Sequence, residues 1–259
     1  MHNRINNCFA RLRSEKSKGF IPYICAGDPS LEKTVDLALA LEEAGADLLE
    51  LGLPFSDPLA DGIVNQLAAQ RALAAGATVR GVLDCVREIR KNSQIPIVLY
   101  SYLNPIFQFD VEKFHREARA AGVDGLLILD LPPEEDIALG AGNLIHIRLI
   151  APTTPPNRIS KIAGSAEGFL YYVSREGVTG ARETIASSLP AKIRQLRQLS
   201  ALPIAVGFGI SSADQAREGA RYADAVVVGS AIVDLIAKHA NSSVEKVSVF
   251  ARELANAIH

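Results

Sequence analysis

Eight short apolar runs punctuate this chain, and a stretch with helical spacing follows each of them. The runs cover 19–25, 47–53, 95–100, 124–130, 144–150, 168–173, 203–206 and 224–228. They do not alternate apolar with polar residues, so both faces of each strand are expected to be buried, as in a parallel sheet covered by helices. Helical patterns occupy 30–44, 64–75, 78–91, 111–121, 134–139, 156–163, 189–199, 212–219, 231–239 and 243–257, and an amphipathic segment over 3–13 precedes the first strand. Eight such units in 259 residues, with no linker or charge run between them, predict an α/β fold of one domain over 1–259. That fold is a (β/α)8 TIM barrel with an extra N-terminal helix and extra helices after strands two and eight. An open, doubly wound sheet is the alternative. No Gly-x-Gly-x-x-Gly follows the first strand, which weakens its dinucleotide-binding form.

Barrels of this kind carry their chemistry on the loops after the C-terminal strand ends. That rule gathers Glu50, Asp61, Tyr100, Tyr102, Asp130, Tyr171, Arg175, Gly207, Gly209 and Gly229 on one face, although the sequence keeps them far apart. Glu50 is the most constraining of these, because it lies inside an apolar strand among Leu48, Leu49, Leu51 and Leu53. A carboxylate there must be paired, hydrogen-bonded or used, and desolvation raises its pKa toward the range where it both gives and takes a proton near neutrality. Pro54 and Pro58 then stiffen a loop that carries Asp61 beyond the strand end, with Asp57 as the other candidate. One acid in a strand and another on a rigid loop after it point to acid–base chemistry. The ordinary alternative pairs Glu50 with a buried Arg or Lys, and uses the aspartates as turn or capping residues for the helix beginning near residue 63.

Gly207 and Gly209 after strand seven, with Gly229 and Ser230 after strand eight, occupy a recurrent phosphate-binding position of this fold. Glycines let backbone N–H groups approach an anion, and the helices starting near Ser211 and Ala231 add their N-terminal dipoles. The segment Gly177-Val178-Thr179-Gly180 supplies a third side. No Lys sits in the last two loops, so backbone and Ser230 contacts are expected rather than an ion pair.

Bulk properties narrow the classes of function. A net charge of -2 and a pI near 6.2 give no reason to expect nucleic acid or an anionic membrane as partner. No window is long and apolar enough to cross a bilayer. Cys8, Cys25 and Cys85 are odd in number, widely spaced and without metal-ligand spacing, so they read as reduced thiols of a cytoplasmic protein with no metal. The first residues lack the apolar core of a signal peptide. His2, His115, His239 and His259 fall on helical faces or termini and are expected to be solvated. His146 and Arg148 share a strand, where an inward Arg would counter a buried acid and a structural role is the alternative.

The run Leu49-Glu50-Leu51-Gly52-Leu53-Pro54-Phe55-Ser56-Asp57-Pro58-Leu59-Ala60-Asp61-Gly62 resembles the signature of the tryptophan synthase α-subunit family. Ala26-Gly27-Asp28-Pro29, Ser174-Arg175-Glu176-Gly177-Val178-Thr179-Gly180, Gly207-Phe208-Gly209-Ile210-Ser211 and Gly229-Ser230-Ala231-Ile232-Val233 match it in the same order, so the likeness covers essentially the whole chain. The resemblance implies retro-aldol cleavage of indole-3-glycerol phosphate to indole and glyceraldehyde 3-phosphate. It implies no cofactor in this chain, and a β-subunit partner that carries pyridoxal phosphate and receives the indole, in an α2β2 assembly. It places Glu50 on the C3 and hydroxyl protons, Asp61 at the indole N–H, and Tyr171 beside these acids. Tyr172 is then expected to point the other way. Tyr23 and Tyr102 would wall the indole pocket, unless they are core aromatics. The loop 174–188, with Arg175, Gly177 and Thr179, reads as a lid that excludes water.

The chain departs from the commonest family pattern in three places. Ile63 follows Gly62 where a proline is usual, Cys25 replaces threonine or a small residue, and the stretch between Pro133 and Leu144 leaves helix four short. The last change falls on the side that faces the β-subunit in the family. A binding subunit with negligible turnover, a free-standing indole-releasing lyase and a sugar-phosphate isomerase remain as competing functions; the isomerase has no need of Asp61.

Overall fold

A computed structural model describes residues 3–135, 144–173, 185–207 and 209–259, without the side chains of 185–188. Its strands are β1 (Gly19–Cys25), β2 (Leu49–Gly52), β3 (Ile97–Ser101), β4 (Gly125–Ile128), β5 (Ile145–His146), β6 (Arg148–Ile150), β7 (Leu170–Val173), β8 (Ile204–Gly207) and β9 (Ala225–Val228). Among the described residues the strands pair in parallel, in the order β5-β4-β3-β2-β1-β9-β8-β7-β6. The two ends of that list are one interrupted strand. β5 and β6 flank Ile147, whose N–H still donates to Leu126 O at 2.9 Å, so the ring closes through the chain itself. The expected single strand 144–150 is therefore split, with its first half paired to β4 and its second to β7.

The helix expected over 134–139 lies, beyond Glu135, outside the described residues. Among the described residues the helices fit the predicted barrel with one addition. They are α1 (Arg4–Glu15), α2 (Leu31–Glu43), α3 (Ile63–Ala74), α4 (Val79–Arg90), α5 (Leu103–Phe109), α6 (Val111–Ala121), α7 (Pro156–Ser165), α8 (Ile185–Leu199), α9 (Ala213–Ala220), α10 (Ser230–Lys238) and α11 (Ser243–Ile258). Extra helices do follow β2 (α3 and α4) and β9 (α10 and α11). The helix α5 was not anticipated: it spans only seven residues and includes Pro105, so its periodicity is too short to read. Its N-terminus is completed from another loop, because Asp130 accepts the Leu103 N–H at 2.7 Å. The helix α8 begins at residue 185 rather than 189, so Pro190 falls inside it.

One end of the barrel is sealed. Helix α1 lays Ile5, Cys8, Phe9 and Leu12 against the inward side chains Ile21, Leu48, Val98, Phe169 and Ala225, and the Phe9 and Phe169 rings lie 5.4 Å apart. Strand alternation decides which residues face that interior. Leu49 and Leu51 point outward to the helices while Leu48 points in, and Glu50, two residues on, shares the inward face. Tyr171 lines the interior while Tyr172 packs outside, as expected. Ile147 and Leu149 face inward and Ile150 outward, which puts Arg148 on the outer side rather than opposite a buried acid.

Three aspartates fix the strand starts at the sealed end. Asp47 precedes β2 and accepts the Phe20 N–H at 2.9 Å; Asp124 precedes β4 and accepts that of Ile97 at 2.9 Å; Asp224 precedes β9 and accepts that of Ile204 at 2.9 Å. Each is also held by cations. Arg4 and Arg90 bond Asp124 at 3.0 and 2.8 Å, Arg197 bonds Asp224, and Arg11 and His259 bond Asp47. Burial opposes ionisation of Asp47, but hydrogen bonds from His259, Phe20 and Arg11 hold its pKa below the ordinary value. His259 stays exposed, as expected, and its ring also anchors the last helix to Asp47. His115, expected to be solvated, is buried: its Nδ1 donates to Val111 O at 2.8 Å, and its ring stacks on His146 with centroids 6.0 Å apart. Replacing Asp124 by Ala leaves Arg90 and the Ile97 N–H buried without their acceptor. A loss of about 2–4 kcal/mol is expected, measured as a lower urea midpoint with an unchanged slope.

Candidate active site

The open end of the barrel collects the acids. Glu50 is 1% exposed, and its Oε1 has no hydrogen-bond partner; among the described residues no ion pair forms on it. The pairing with Arg or Lys offered by the ordinary reading is therefore absent there. Desolvation by burial moves its pKa from 4.5 to about 8. In register it lies between Tyr23 of β1 and Val98 of β3, so an aromatic and an aliphatic wall flank it.

Asp61 is placed differently, and a capping role does not describe it. Gly62 occupies the N-cap of α3, and the Asp61 carboxylate turns back to the barrel. Tyr100 Oη donates to its Oδ1 at 2.9 Å and Tyr102 Oη to its Oδ2 at 2.7 Å. Tyr102 Oη also accepts the Ala60 N–H at 2.9 Å, and Gln66 Nε2 donates to the Asp61 carbonyl at 2.8 Å. These bonds hold a proline-containing loop in place without a regular element. Asp57, the other candidate, stays exposed on the same loop.

Four of the six tyrosines (Tyr23, Tyr100, Tyr102 and Tyr171) surround the acids. Burial is the first reason that the pKa of each rises, and the charges of Glu50 and Asp61 add to it for Tyr23 and Tyr171. Glu50 is in register with Tyr23, whose ring packs against Tyr100, the donor to Asp61, so the two acids flank one aromatic wall. The phenols remain protonated donors across the physiological range. Tyr23 packs edge-on against Tyr100 with centroids 5.1 Å apart, and Tyr102 leans on Phe55 at 5.3 Å. Tyr23 and Tyr102 are consequently wall residues of this mouth, and Tyr100 is the member whose role the sequence left unassigned. Its position at an inward strand site, two residues before Tyr102, was the available signal.

Glycines here make room for hydroxyl groups. A Cβ on Gly52 would lie 2.4 Å from Tyr23 Oη, and one on Gly207 would lie 2.6 Å from Tyr171 Oη. Gly207 thus has a packing reason for lacking a side chain. Gly209 adopts a φ of 68° with open space around its Cβ direction, and Gly229 is the N-cap of α10 with no side-chain cap bond. The first N–H groups of an α-helix have no partner within it, so the α10 N-terminus, starting at Ser230, suits an anion. The α9 N-terminus does not need one, because Ser212 and Gln215 cap it. The remaining residues expected at this mouth, Arg175, Gly177, Thr179 and Gly180, lie outside the described residues, as does most of the expected lid 174–188. Cys25 at the end of β1 is a buried thiol whose pKa burial raises well above the ordinary range.

An apolar barrel mouth holding a neutralised carboxyl and a phenol-bound carboxylate defines a barrel enzyme of acid–base chemistry. The family described as tryptophan synthase alpha chain matches residues 9–259. The chain is 49% identical over 244 residues to the tryptophan synthase alpha chain of Opitutus terrae, covering 93% of this chain and 92% of that one. It is 46% identical over 261 residues to that of Geobacter sulfurreducens, covering 99% of each. The crystal structure of tryptophan synthase subunit alpha from Legionella pneumophila superposes with a TM-score of 0.88 at 38% identity, covering 100% of this chain and 99% of the other. The chain belongs to the tryptophan synthase α-chain family, lyases of tryptophan biosynthesis.

A neutral isostere at residue 50 tests the burial argument. Glu50 binds its proton more tightly folded than unfolded, so its contribution to stability is present below about pH 4.5 and is lost as pH rises toward about 8. Each tenfold change in proton affinity is worth about 1.4 kcal/mol. Glu50→Gln is expected to match the parent near pH 5 and to exceed it by several kcal/mol at pH 9, in urea titrations across that range.

Proposed function

We propose that this chain, folded as one domain over 1–259, cleaves indole-3-glycerol phosphate to indole and glyceraldehyde 3-phosphate with Glu50, Asp61 and Tyr171 as its catalytic residues. The observation that carries this reading is Glu50, buried without an ion pair among the described residues, in the same mouth as a carboxylate held by two phenols. The protonated carboxyl gives its proton to indole C3, and the ring nitrogen takes up positive charge. Asp61, an anion directed at the N–H, stabilises that charge. The Glu50 carboxylate then removes the proton of the glycerol hydroxyl next to the ring as the C–C bond breaks. The bonding pair returns to the indole ring, the aldehyde forms, and Glu50 has recovered its proton. A pKa near 8 suits a group that must donate first and accept second at neutral pH. Tyr171, beside both acids, completes the set as a protonated phenol.

The substrate phosphate is assigned to Gly180, Gly207, Gly209, Gly229 and Ser230, supported by the uncapped start of α10. The indole ring is assigned to the aromatic wall of Tyr23 and Tyr102, and the lid to the segment with Arg175, Gly177 and Thr179. No cofactor is needed for proton transfers of this kind; pyridoxal phosphate belongs to the proposed β-subunit, which takes the indole in an α2β2 assembly. Exposed apolar side chains support such a partner. Leu59 is 89% exposed, Ile63 66% and Phe107 65%, on the loop after β2, on α3 and on α5. The bond between Tyr102 and Ala60 ties that loop to the residue preceding α5. Localisation in the cytoplasm rests on the three buried free thiols.

An indole-release assay on the isolated chain, repeated with a cognate β-subunit, tests the assignment. Release by the chain, raised by the β-subunit, is expected; no release in either case contradicts it. Glu50→Gln is expected to lower kcat by about a hundredfold or more, the usual range for a general acid–base group. Retained activity removes Glu50 from the shuttle role.

A further inference from the structure

We infer that Tyr100 is a positioning residue for the lyase reaction, holding the Asp61 carboxylate in the orientation that meets the indole N–H. This rests on the reading of Asp61 given above and adds a residue to it.

The two phenols on Asp61 do different things. Tyr102 is shared with the loop, since its Oη accepts the Ala60 N–H as well as donating to Asp61. It follows the loop wherever the loop goes. Tyr100 is built into the barrel wall: it lies within β3 and is in register with Gly52 of β2 and Leu127 of β4. Its ring is braced edge-on by Tyr23, whose own hydroxyl fills the space left by the missing Gly52 side chain. A larger residue at 52 would displace Tyr23, and Tyr23 is what fixes the Tyr100 ring. The line from Gly52 through Tyr23 and Tyr100 therefore ends on Asp61 Oδ1, 2.9 Å from the Tyr100 hydroxyl.

That arrangement has a mechanistic consequence. Asp61 lies on a loop without regular structure, between Pro58 and the first turn of α3. A carboxylate held by one phenol can still rotate about its Cβ–Cγ bond; with a second donor on the other oxygen, its plane is fixed. Oδ1 also takes a longer bond from Asn65 Nδ2 at 3.5 Å, whereas Oδ2 bonds Tyr102 and retains a lone pair, so a substrate N–H can be accepted there without breaking either phenol bond. Charge stabilisation works best when the acceptor is oriented before the charge appears, because no reorganisation is then required during the step. The Tyr100 hydroxyl supplies that orientation from a rigid strand, while the reacting atoms meet Asp61 and Glu50.

The test is a double-mutant cycle on indole release by the full chain. Tyr100→Phe retains the ring and its edge contact with Tyr23 and removes only the hydroxyl. Its kcat is expected to fall about tenfold, the size of one hydrogen bond to a charged group, with KM within about twofold of the parent. In an Asp61→Asn background the same change is expected to lower kcat no further, because its effect runs through that carboxylate. Unchanged kcat, a change confined to KM, or an equal fall in both backgrounds overturns the inference while leaving the lyase assignment in place. An Asp61→Asn variant with parental kcat contradicts the assignment itself.

Discussion

A carboxyl group inside an apolar barrel, with no counter-ion and no hydrogen-bond partner for its Oε1 among the described residues, is the constraint on which the rest of the structure depends. Glu50 sits where a leucine would pack better, and burial alone holds its proton at neutral pH. A lone buried carboxyl is tolerated because it is neutral; an arginine beside it would ionise it and remove the property that the chemistry uses. Among the described residues, the arginines bonded to buried aspartates are placed elsewhere, at the sealed end or, in Arg71 with Asp28, on the segment after β1.

The two ends of the barrel use the same residue type for opposite purposes. At the sealed end Asp47, Asp124 and Asp224 are paired with arginines and bonded to strand N–H groups, so they make the frame rigid. At the open end the partners are phenols rather than cations. Phenol donors orient an anion without cancelling its charge, which leaves Asp61 able to stabilise positive charge on a ligand. The plug formed by α1 closes the interior at one end only, so a ligand has one route to Glu50.

Much of this was legible in the sequence. Unalternating apolar runs gave the barrel, and an acid set among leucines inside the second run identified Glu50 before any geometry. The proline-stiffened loop identified Asp61, although not what held it. Tyr100 was hidden because its role depends on a loop residue reached only in three dimensions. Sequence spacing also missed α5, too short for a period, and the break at Ile147, where the backbone changes its pairing partner within an apolar run. His115 was misjudged for a similar reason. A helical face looks solvated until the element packed on it is known, which for His115 is β5. The three basal aspartates share a plain signal, an Asp one or two residues before a strand, which becomes meaningful only when the neighbouring strand start is seen to donate to it.

The central claim is that Glu50 carries a proton at neutral pH. Carbon-13 NMR of labelled glutamate carboxyl groups, with Glu50→Gln used to assign the signal, measures this directly. One carboxyl resonance, absent from the variant, should remain in its protonated position at pH 7 and titrate near 8. A Glu50 resonance that titrates with the other glutamates below pH 5 would contradict the account.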